Sequence, residues 1–209
     1  MPHPRLDERV LADGLAESRA RAQALVMAGQ VLVDGDVVDK PGTRVKPDSE
    51  VCLRTAGSRF VSQGGDKLAG ALEDLAIDPA GHSCLDVGAS TGGFTDCLLQ
   101  CGARRVVAVD VGHGQLHEKL RGDPRVVVVE RANARHLEES ALGGEAVDLV
   151  VVDVSFISVR LLLPRLAVLA PGAEWLLLVK PQFEVGRARV GKGGVVRDDA
   201  ARRDAALAV

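Results

Sequence analysis

The 209-residue chain is poor in aromatic side chains: it has no tyrosine, one tryptophan and four phenylalanines. Proteins that bind single-stranded nucleic acid without sequence preference stack its bases on aromatic rings. The scarcity of such rings therefore disfavours a stacking platform. The net charge is −3, so no overall electrostatic field attracts nucleic acid either. Any contact with RNA would depend on shape and on arginines placed locally.

Long hydrophobic runs are also missing. The longest apolar stretches, Val147 to Ile157 and Trp175 to Val179, are interrupted by aspartate or bounded by charge. They fall short of the roughly 20 residues that a membrane-spanning helix needs. The N-terminal residues lack the apolar core of a secretory signal. The sequence thus predicts a cytoplasmic protein without a membrane span.

Cysteine is scarce, and the four thiols are Cys52, Cys84, Cys97 and Cys101. Cys97 and Cys101 are one helical turn apart, but no nearby histidine pair completes a metal-binding set. Free, mostly buried cysteines and no metal are the expectation.

Apolar residues make up 46% of the chain, which is ample for a core, and the patterning changes near residue 57. Residues 1–57 show two short helical patterns followed by turn-rich strands, and 55–58 have the composition of a linker. In residues 58–209 apolar strands alternate with helices, which predicts an α/β domain with a parallel sheet covered on both faces. The predicted strands are Ser83–Asp86, Arg105–Asp110, Arg125–Val129, Val147–Asp153 and Trp175–Lys180.

The most informative stretch runs from Asp86 to Asp96, where an apolar strand enters a glycine turn that opens a helix. Such a turn brings backbone N–H groups close to a ligand. Asp110 ends the next strand about twenty residues later, the position from which a carboxylate can bind ribose hydroxyls. These features predict a nucleoside cofactor. Ser90 stands where a dinucleotide site has its second glycine, which disfavours nicotinamide, and no histidine follows His136 to complete a hydrolase triad.

Two further predicted strands end in charged residues. One delivers Asp153 and the next delivers Lys180, just before Pro181. The carboxyl ends of parallel strands gather the chemistry of open α/β sheets, and a lysine there needs a partner. Asp153 is the expected partner of Lys180, and a purely structural ion pair is the alternative interpretation.

The first 55 residues resemble the small RNA-binding domain named after ribosomal protein S-four. The ordered motif is R-L-D…G-L…S-R-x-x-A-x-x-L-V-x-x-G-x-V-x-V-D-G…K-P-G. The resemblance implies that five basic side chains face phosphates, and such contacts set position rather than read sequence. A solvated helix face balanced by acidic neighbours is the alternative. The five residues are Arg5, Arg9, Arg19, Arg21 and Lys40.

The rest of the chain resembles the TlyA (hemolysin A) family, in which an FtsJ-like domain methylates ribosomal RNA on the ribose 2′-hydroxyl. The resemblance rests on the ordered motifs S-Q-G-G-D-K-L, L-D-V-G-A-S-T-G-G-F-T-D, V-D-V-G-H-G-Q-L, D-V-S-F-I-S and V-K-P-Q-F-E. It implies a Rossmann-like class I methyltransferase fold, S-adenosylmethionine as cofactor, and ribosomal RNA or ribosomal subunits as partner.

The same resemblance assigns roles to particular residues. The family's Lys-Asp-Lys-Glu tetrad carries over as catalytic Lys67, Asp153 and Lys180, whereas its glutamate would lie beyond residue 209, so that a C-terminally incomplete sheet is expected. The cofactor-binding residues implied are Asp86, Gly88, Ser90, Gly92, Gly93, Phe94, Asp110 and Asn133, and for Asn133 a helix cap is an equal alternative.

Three other functions remain open on the sequence. A non-catalytic RNA-binding protein would use the α/β domain only as a scaffold. A cytolysin is suggested by the hemolysin name alone. A base methyltransferase is a further enzymatic alternative, although the segment Asp153–Phe156 lacks the proline pair of amino-methylating enzymes.

Overall fold

The computed structural model describes residues 3–27, 29–53, 59–191 and 194–209. The contacts within the chain divide it into two compact units, Met1–Ser58 and Arg59–Val209. The predicted linker at 55–58, and with it the predicted boundary between residues 57 and 58, lies outside the described residues.

The first unit contains two helices and a small antiparallel sheet with the strand order β2-β1-β3. Asp34 and Gly35 join the first two strands, both with positive φ, as a tight hairpin of this kind requires. The helices bury Leu6, Val10 and Val26 against the sheet, whereas Leu11, which fits the same helical pattern, is 39% exposed. The elements are α1 (Leu6–Ala12), α2 (Arg19–Met27), β1 (Val31–Val33), β2 (Asp36–Val37) and β3 (Val51–Leu53).

The second unit is a five-stranded, fully parallel sheet with the order β6-β5-β4-β7-β8. Its strands are β4 (Ser83–Val87), β5 (Arg105–Val109), β6 (Val126–Val129), β7 (Leu149–Val152) and β8 (Glu174–Leu177). Its helices are α3 (Gln63–Asp74), α4 (Gly93–Gln100), α5 (Glu118–Arg121), α6 (Leu163–Leu169), α7 (Pro181–Glu184) and α8 (Asp199–Leu207).

Separate apolar clusters cover the two faces of this sheet. Side chains alternate along a strand, so Cys84 belongs to one cluster and its neighbour Leu85 to the other. β4, β5 and β7 are almost completely buried, as continuous valine- and leucine-rich strands predict. The predicted α/β fold with both faces of the sheet covered is confirmed.

The last strand differs from the prediction. β8 ends at Leu177, because its final ladder bond joins the Leu178 N–H to the carbonyl of Val152, where β7 also ends. Lys180 therefore does not end a strand. It lies three residues further on and immediately precedes α7, and β8 is a half-buried edge strand rather than a buried one.

The strand order creates a crevice at the carboxyl ends of β4 and β7. The chain leaves β4 toward one side of the sheet and β7 toward the other, and ligands of open α/β sheets bind at such a switch point. The residues that follow the two strands, Gly88 and Asp153, are in direct contact there.

Two further expectations concern composition. All four cysteines are free, with Cys84 and Cys97 buried and Cys52 and Cys101 half-buried. Within the described ranges no group of side chains is arranged to hold a metal ion, and no helix has the length and apolar character needed to cross a membrane.

Candidate active site

A tight turn carries the chain from β4 into α4. Gly88 and Gly92 have φ values of +89° and +97°, and Ser90 between them also adopts a left-handed conformation, with φ of +49°. The N–H groups of Gly88 and Ala89 donate to the carbonyl of Val109, which ties the turn to the end of β5. The turn therefore has a fixed position beside the residue that follows β5.

That residue is Asp110, and its carboxylate holds two loops. Oδ2 accepts the Ser90 N–H at 2.8 Å, and Oδ1 accepts the Gly112 N–H at 2.6 Å. The bond from Ser90 stabilises a backbone conformation that a non-glycine residue rarely adopts. A carboxylate has about four acceptor positions, so Asp110 keeps capacity for two more donors.

A cavity of about 610 Å³ opens beside this turn, within the size range of small-molecule sites. Gly88, Ser90 and Asp110 line one side, and the loop that follows β7 lines the other. The remaining walls include apolar side chains such as Val111, Ile157 and Leu162. The cavity thus combines apolar walls with a free carboxylate edge.

The structure separates the eight predicted cofactor residues into groups. Asn133 caps the short helical turn Ala134–His136 by accepting the Arg135 N–H at 3.0 Å, and it also lines the large cavity. Gly93 and Phe94 line a second cavity of about 150 Å³, together with Gly88 and Ser90. Asp86 and Gly92 line neither cavity.

Asp86 is completely buried within β4. One carboxylate oxygen accepts a bond of 2.6 Å from the Thr95 hydroxyl, and the other has no hydrogen-bond partner among the described residues. Burial raises the pKa of Asp86 to about 7, against the lowering effect of the bond from Thr95. In this structure Asp86 therefore binds Thr95 at the start of α4, next to the turn, and does not reach the cavity.

Gly92 also has a packing role. A β-carbon at Gly92 would overlap the side chain of Leu120 and lie 2.8 Å from that of Leu116. The glycine lets the segment around α5 approach the start of α4, which begins at Gly93.

Lys180 and Asp153 form the predicted pair at the rim of the crevice. Lys180 Nζ lies 2.5 Å from Asp153 Oδ1 as an ion pair and donates a hydrogen bond of 2.8 Å to the Ser155 hydroxyl. The two charged side chains are about one-fifth exposed, at 21% for Lys180 and 20% for Asp153. They can therefore be reached from solvent while holding each other in place.

Lys67 approaches from the other side of the crevice. It lies in the second turn of α3 and lines the 150 Å³ cavity, which Asp153 also lines. Asp153 borders both cavities, as do Gly88 and Ser90. Asp153 thus connects the other two predicted catalytic residues, because it shares a cavity with Lys67 and forms an ion pair with Lys180, which itself lines neither cavity.

Glycines allow α3 to reach this position. A β-carbon at Gly93 would overlap the Ser62 hydroxyl and lie 2.8 Å from the Gly65 nitrogen. The buried carboxylate of Asp96 accepts the Val61 N–H at 2.8 Å, which anchors the segment that precedes α3. Close contact between the starts of α3 and α4 therefore determines where Lys67 lies.

In the first unit, two of the predicted RNA-binding arginines share one buried carboxylate. Asp7 is fully buried and accepts bonds from Arg5, Arg19 and Gln23, with Nε of Arg5 at 2.9 Å. The bond from Arg5 holds the pKa of Asp7 well below its usual range. Arg19 also approaches Glu8 at 3.4 Å. Arg5 and Arg19 are therefore partly committed to contacts within the unit.

The other three predicted contacts differ from these. Arg9 pairs with Asp13 at 2.7 Å and donates to the carbonyl of Pro47. Arg21 is exposed, and no ion pair of its side chain is found in the described part of the chain. Lys40 is likewise exposed. Arg21 and Lys40 are thus the predicted contacts most accessible to a phosphate.

Sequence reasoning missed most of the residues that line the large cavity, and three of these have polar or aromatic side chains. Ser155 receives the bond from Lys180, Gln115 reaches the cavity from the loop after β5, and Phe156 stands at the rim with 92% exposure. Ser155 and Phe156 belong to the D-V-S-F motif. Their position two and three residues after Asp153 could have identified them as residues of the site.

The sheet order, the glycine turn and the acid after the second strand define the second unit as a Rossmann-like α/β domain. Residues 60–209 match the family described as FtsJ-like methyltransferase, and residues 4–51 match the S4 domain. The chain belongs to the FtsJ-like methyltransferase family and carries an S4 domain at its N-terminal end. The predicted fold class is confirmed.

Individual relatives confirm the prediction that the chain belongs to the TlyA (hemolysin A) family. The 16S/23S rRNA (cytidine-2′-O)-methyltransferase TlyA of Mycobacterium tuberculosis is 53% identical over 207 residues, which are 98% of this chain and 77% of that protein. Hemolysin A of Brachyspira hyodysenteriae is 44% identical over 95% of this chain and 82% of its own length. A solved structure from Streptococcus thermophilus that carries the hemolysin name is 41% identical, with a TM-score of 0.74 over 100% of this chain and 76% of that one.

Proposed function

We propose that the protein transfers a methyl group from S-adenosylmethionine to a ribose 2′-hydroxyl of ribosomal RNA. The observation that carries the proposal is the Lys180–Asp153 ion pair beside a cavity whose opposite wall holds Asp110. A relative that is 53% identical is named for 2′-O-methylation of cytidine in 16S and 23S rRNA. The reaction would take place in the cytoplasm, where ribosomal RNA is found.

The large cavity fits such a cofactor. Asp110 has unused acceptor capacity toward the cavity for the two ribose hydroxyls, and its other bonds already fix its orientation. Val111 and Ala132 supply apolar surface beside Asp110 for the adenine, and Asn133 supplies a polar edge. Gly88 and Ser90 would approach the cofactor with their backbone, and Gly93 and Phe94 line the adjoining space near Lys67.

When bound, S-adenosylmethionine supplies a methyl group on a positively charged sulfur as the electrophile. A ribose hydroxyl is a weak nucleophile, so the attack depends on position and on help with the proton. As an ammonium paired with Asp153, Lys180 Nζ would stabilise the negative charge that develops on the 2′-oxygen, and it would accept the hydroxyl proton once it has given one of its own protons to solvent. Asp153 and Ser155 fix that nitrogen, and Lys67 would hold the substrate ribose or a neighbouring phosphate.

The first unit would bind the RNA through phosphates. Exposed Arg21 and Lys40 can each contact a phosphate directly, whereas Arg5, Arg9 and Arg19 keep free N–H groups beside their ion pairs. Such contacts supply affinity and register rather than sequence specificity.

The test is methyl transfer from labelled S-adenosylmethionine to purified ribosomal subunits, followed by digestion of the RNA to nucleosides. Label in a 2′-O-methylated nucleoside is the expected result. Label on a base would identify a base methyltransferase instead. RNA binding without transfer to either subunit or to free rRNA would favour the non-catalytic alternative and contradict the proposal.

A further inference from the structure

The segment that follows β7, residues 153–159, carries two of the groups at the rim of the crevice, Asp153 and Ser155. We call it the catalytic loop. It faces α7, the four-residue helix that begins directly after Lys180. The two segments are connected at three points, and Glu184 provides one of them.

At the first point Lys180 holds the beginning of the catalytic loop through Asp153 and Ser155. At the second, the ring of Phe156 packs on that of Phe183, with centroids 5.5 Å apart. Lys180 directly precedes α7 and Phe183 lies within it, so both contacts come from one short stretch of chain. The loop is therefore docked along α7 rather than attached at a single residue.

At the third point the carboxylate of Glu184 holds the end of the loop. Its Oε2 accepts a bond of 2.5 Å from the Ser158 hydroxyl, and its Oε1 accepts the Val159 N–H at 2.8 Å. Both oxygens are used, and Glu184 and Ser158 are half-buried. Hydrogen bonds to an ionised carboxylate are stronger than those between neutral groups.

The loop between these anchors is strained. Phe156 has a φ of +68° and is 92% exposed, so neither its backbone preference nor burial of its ring holds it there. A non-glycine residue keeps such a conformation only where the surrounding structure fixes it. The bonds on either side of Phe156, from Lys180 to Ser155 and from Ser158 to Glu184, provide that constraint.

We propose that Glu184 is a positioning residue for the methyl transfer. By fixing the end of the catalytic loop, it keeps Asp153 and Ser155 where they orient Lys180 Nζ. The proposal rests on the proposed function for its kinetic consequence, but the structural constraint on the loop can be measured without any activity.

The first experiment is hydrogen exchange on the full chain. In Glu184→Ala the Val159 amide loses its acceptor, so its exchange should become faster by about tenfold, the factor that corresponds to one hydrogen bond. In Glu184→Gln one amide oxygen remains to accept that bond, so exchange should stay near that of the parent protein. The matched control is Glu174→Ala, at the exposed start of β8, which should leave residues 155–159 unaffected.

The second experiment is single-turnover methyl transfer at saturating RNA and cofactor. Glu184→Ala should lower the rate by about 10²-fold, the order expected when a reacting group is misplaced by about 1 Å. Cofactor affinity should change by less than about threefold, because Asp110 keeps its own bonds to Ser90 and Gly112. Glu184→Gln should recover most of the rate. Ser158→Ala should lower the rate less than Glu184→Ala does. In the double variant, Ser158→Ala should cause little further loss of rate beyond that caused by Glu184→Ala.

Unchanged exchange at Val159 in Glu184→Ala would overturn the proposal, whatever the activity. An equal loss of rate and cofactor affinity would also overturn it, because that result indicates general damage to the site. The parent protein could transfer no methyl group while the Val159 amide still exchanges faster in Glu184→Ala. That result would contradict the proposed function and would still show that Glu184 fixes the end of the catalytic loop.

Discussion

Asp110 makes two contacts in the structure before any cofactor is considered. Its carboxylate fixes Ser90 and Gly112 on either side of the cavity. Asp110→Ala should weaken S-adenosylmethionine binding, because charge-assisted bonds to a carboxylate contribute about 1.5–3 kcal/mol each. Calorimetry on the full chain measures the effect.

Asp110→Asn separates the two roles of that side chain. The amide can still accept one backbone N–H but has only one acceptor oxygen. We expect an affinity between those of the parent protein and the alanine variant. Unchanged affinity in both variants would place the cofactor elsewhere.

Lys180 is expected to act on the ribose proton rather than on the cofactor. Lys180→Ala should lower methyl transfer by the ~10²–10⁴-fold typical of a general acid–base group, with cofactor affinity nearly unchanged. Lys180→Arg should not restore the rate, because a guanidinium keeps its proton. Substantial activity in the arginine variant would mean that Lys180 supplies only positive charge. The ion pair with Asp153 would then serve only to position that charge.

Asp86 makes stability depend on pH. Its pKa is about 7 in the folded protein, because burial disfavours the charged form, and near 4 in an unfolded chain. Below pH 4 both states are protonated, and the protein has its full stability. As pH rises from 4 to 7, only the unfolded state readily loses the proton, so stability decreases.

Asp86→Asn imitates the protonated form and should remove this dependence. The melting temperature of the variant relative to the parent should rise between pH 4 and pH 7 by several degrees, and then level off. Asp74→Asn, at the exposed end of α3, is the control and should show no such trend. An equal difference at pH 4 and pH 8 would mean that the folded and unfolded protein bind the Asp86 proton equally, so that burial does not raise its pKa.

Asp110 and Asp153 could be located from the sequence because each directly follows a strand of the parallel sheet, whereas Lys180 forms its pair with Asp153 from a position three residues beyond the end of β8. The burial of Asp86 could not be predicted from the sequence, because the same D-x-G motif is compatible with a side chain that points into the cavity and with one that points into the core. The shared use of Asp7 by Arg5 and Arg19, and the contact of Glu184 with Ser158, depend on side-chain directions that no local pattern contains.

At the scale of elements, the contact between the starts of α3 and α4 controls the position of Lys67. Gly93→Ala would place a methyl group where the Ser62 hydroxyl and the Gly65 nitrogen lie, so the two helices must separate. Overpacking of this kind costs about 1–3 kcal/mol. Thermal unfolding should show that loss, and methyl transfer should decrease as Lys67 moves.

Gly70→Ala is the matched control within α3. A β-carbon there meets nothing within 4 Å, and alanine is favoured over glycine inside a helix by about 0.5–1 kcal/mol. This variant should be slightly more stable than the parent, with unchanged activity. If Gly93→Ala behaves like Gly70→Ala, the two helices are not in the close contact described.

The elements themselves were largely predictable. Apolar strands and helical periods located β4 to β7 within two residues at each end, because buried parallel strands are continuous runs of valine and leucine. The end of β8 was misjudged by three residues. Its apolar run continues to Val179, but β7 has no further residue to pair with it, and strand length depends on the partner as well as on composition.

At the scale of the whole molecule, the chain is acidic and yet proposed to bind RNA, so affinity must depend on few, well-placed cations. Each phosphate contact releases counterions and contributes roughly 0.7–0.9 to the slope of log affinity against log salt concentration. The arginines of the first unit are unequal in this respect. Removing Arg5 or Arg19 would also leave the buried Asp7 with one partner fewer, and would mix loss of stability with loss of RNA contact.

Arg21→Ala avoids that complication, because Arg21 is exposed and its side chain forms no ion pair within the described ranges. We expect weaker binding to ribosomal subunits, a salt slope lower by about one contact, and unchanged thermal stability and cofactor affinity. Arg203→Ala, at an exposed position of α8, removes the same charge from the molecule and is the matched control. A salt slope that falls in Arg21→Ala alone would identify a phosphate contact in the first unit, whereas an equal fall in both variants would show that only the overall charge matters.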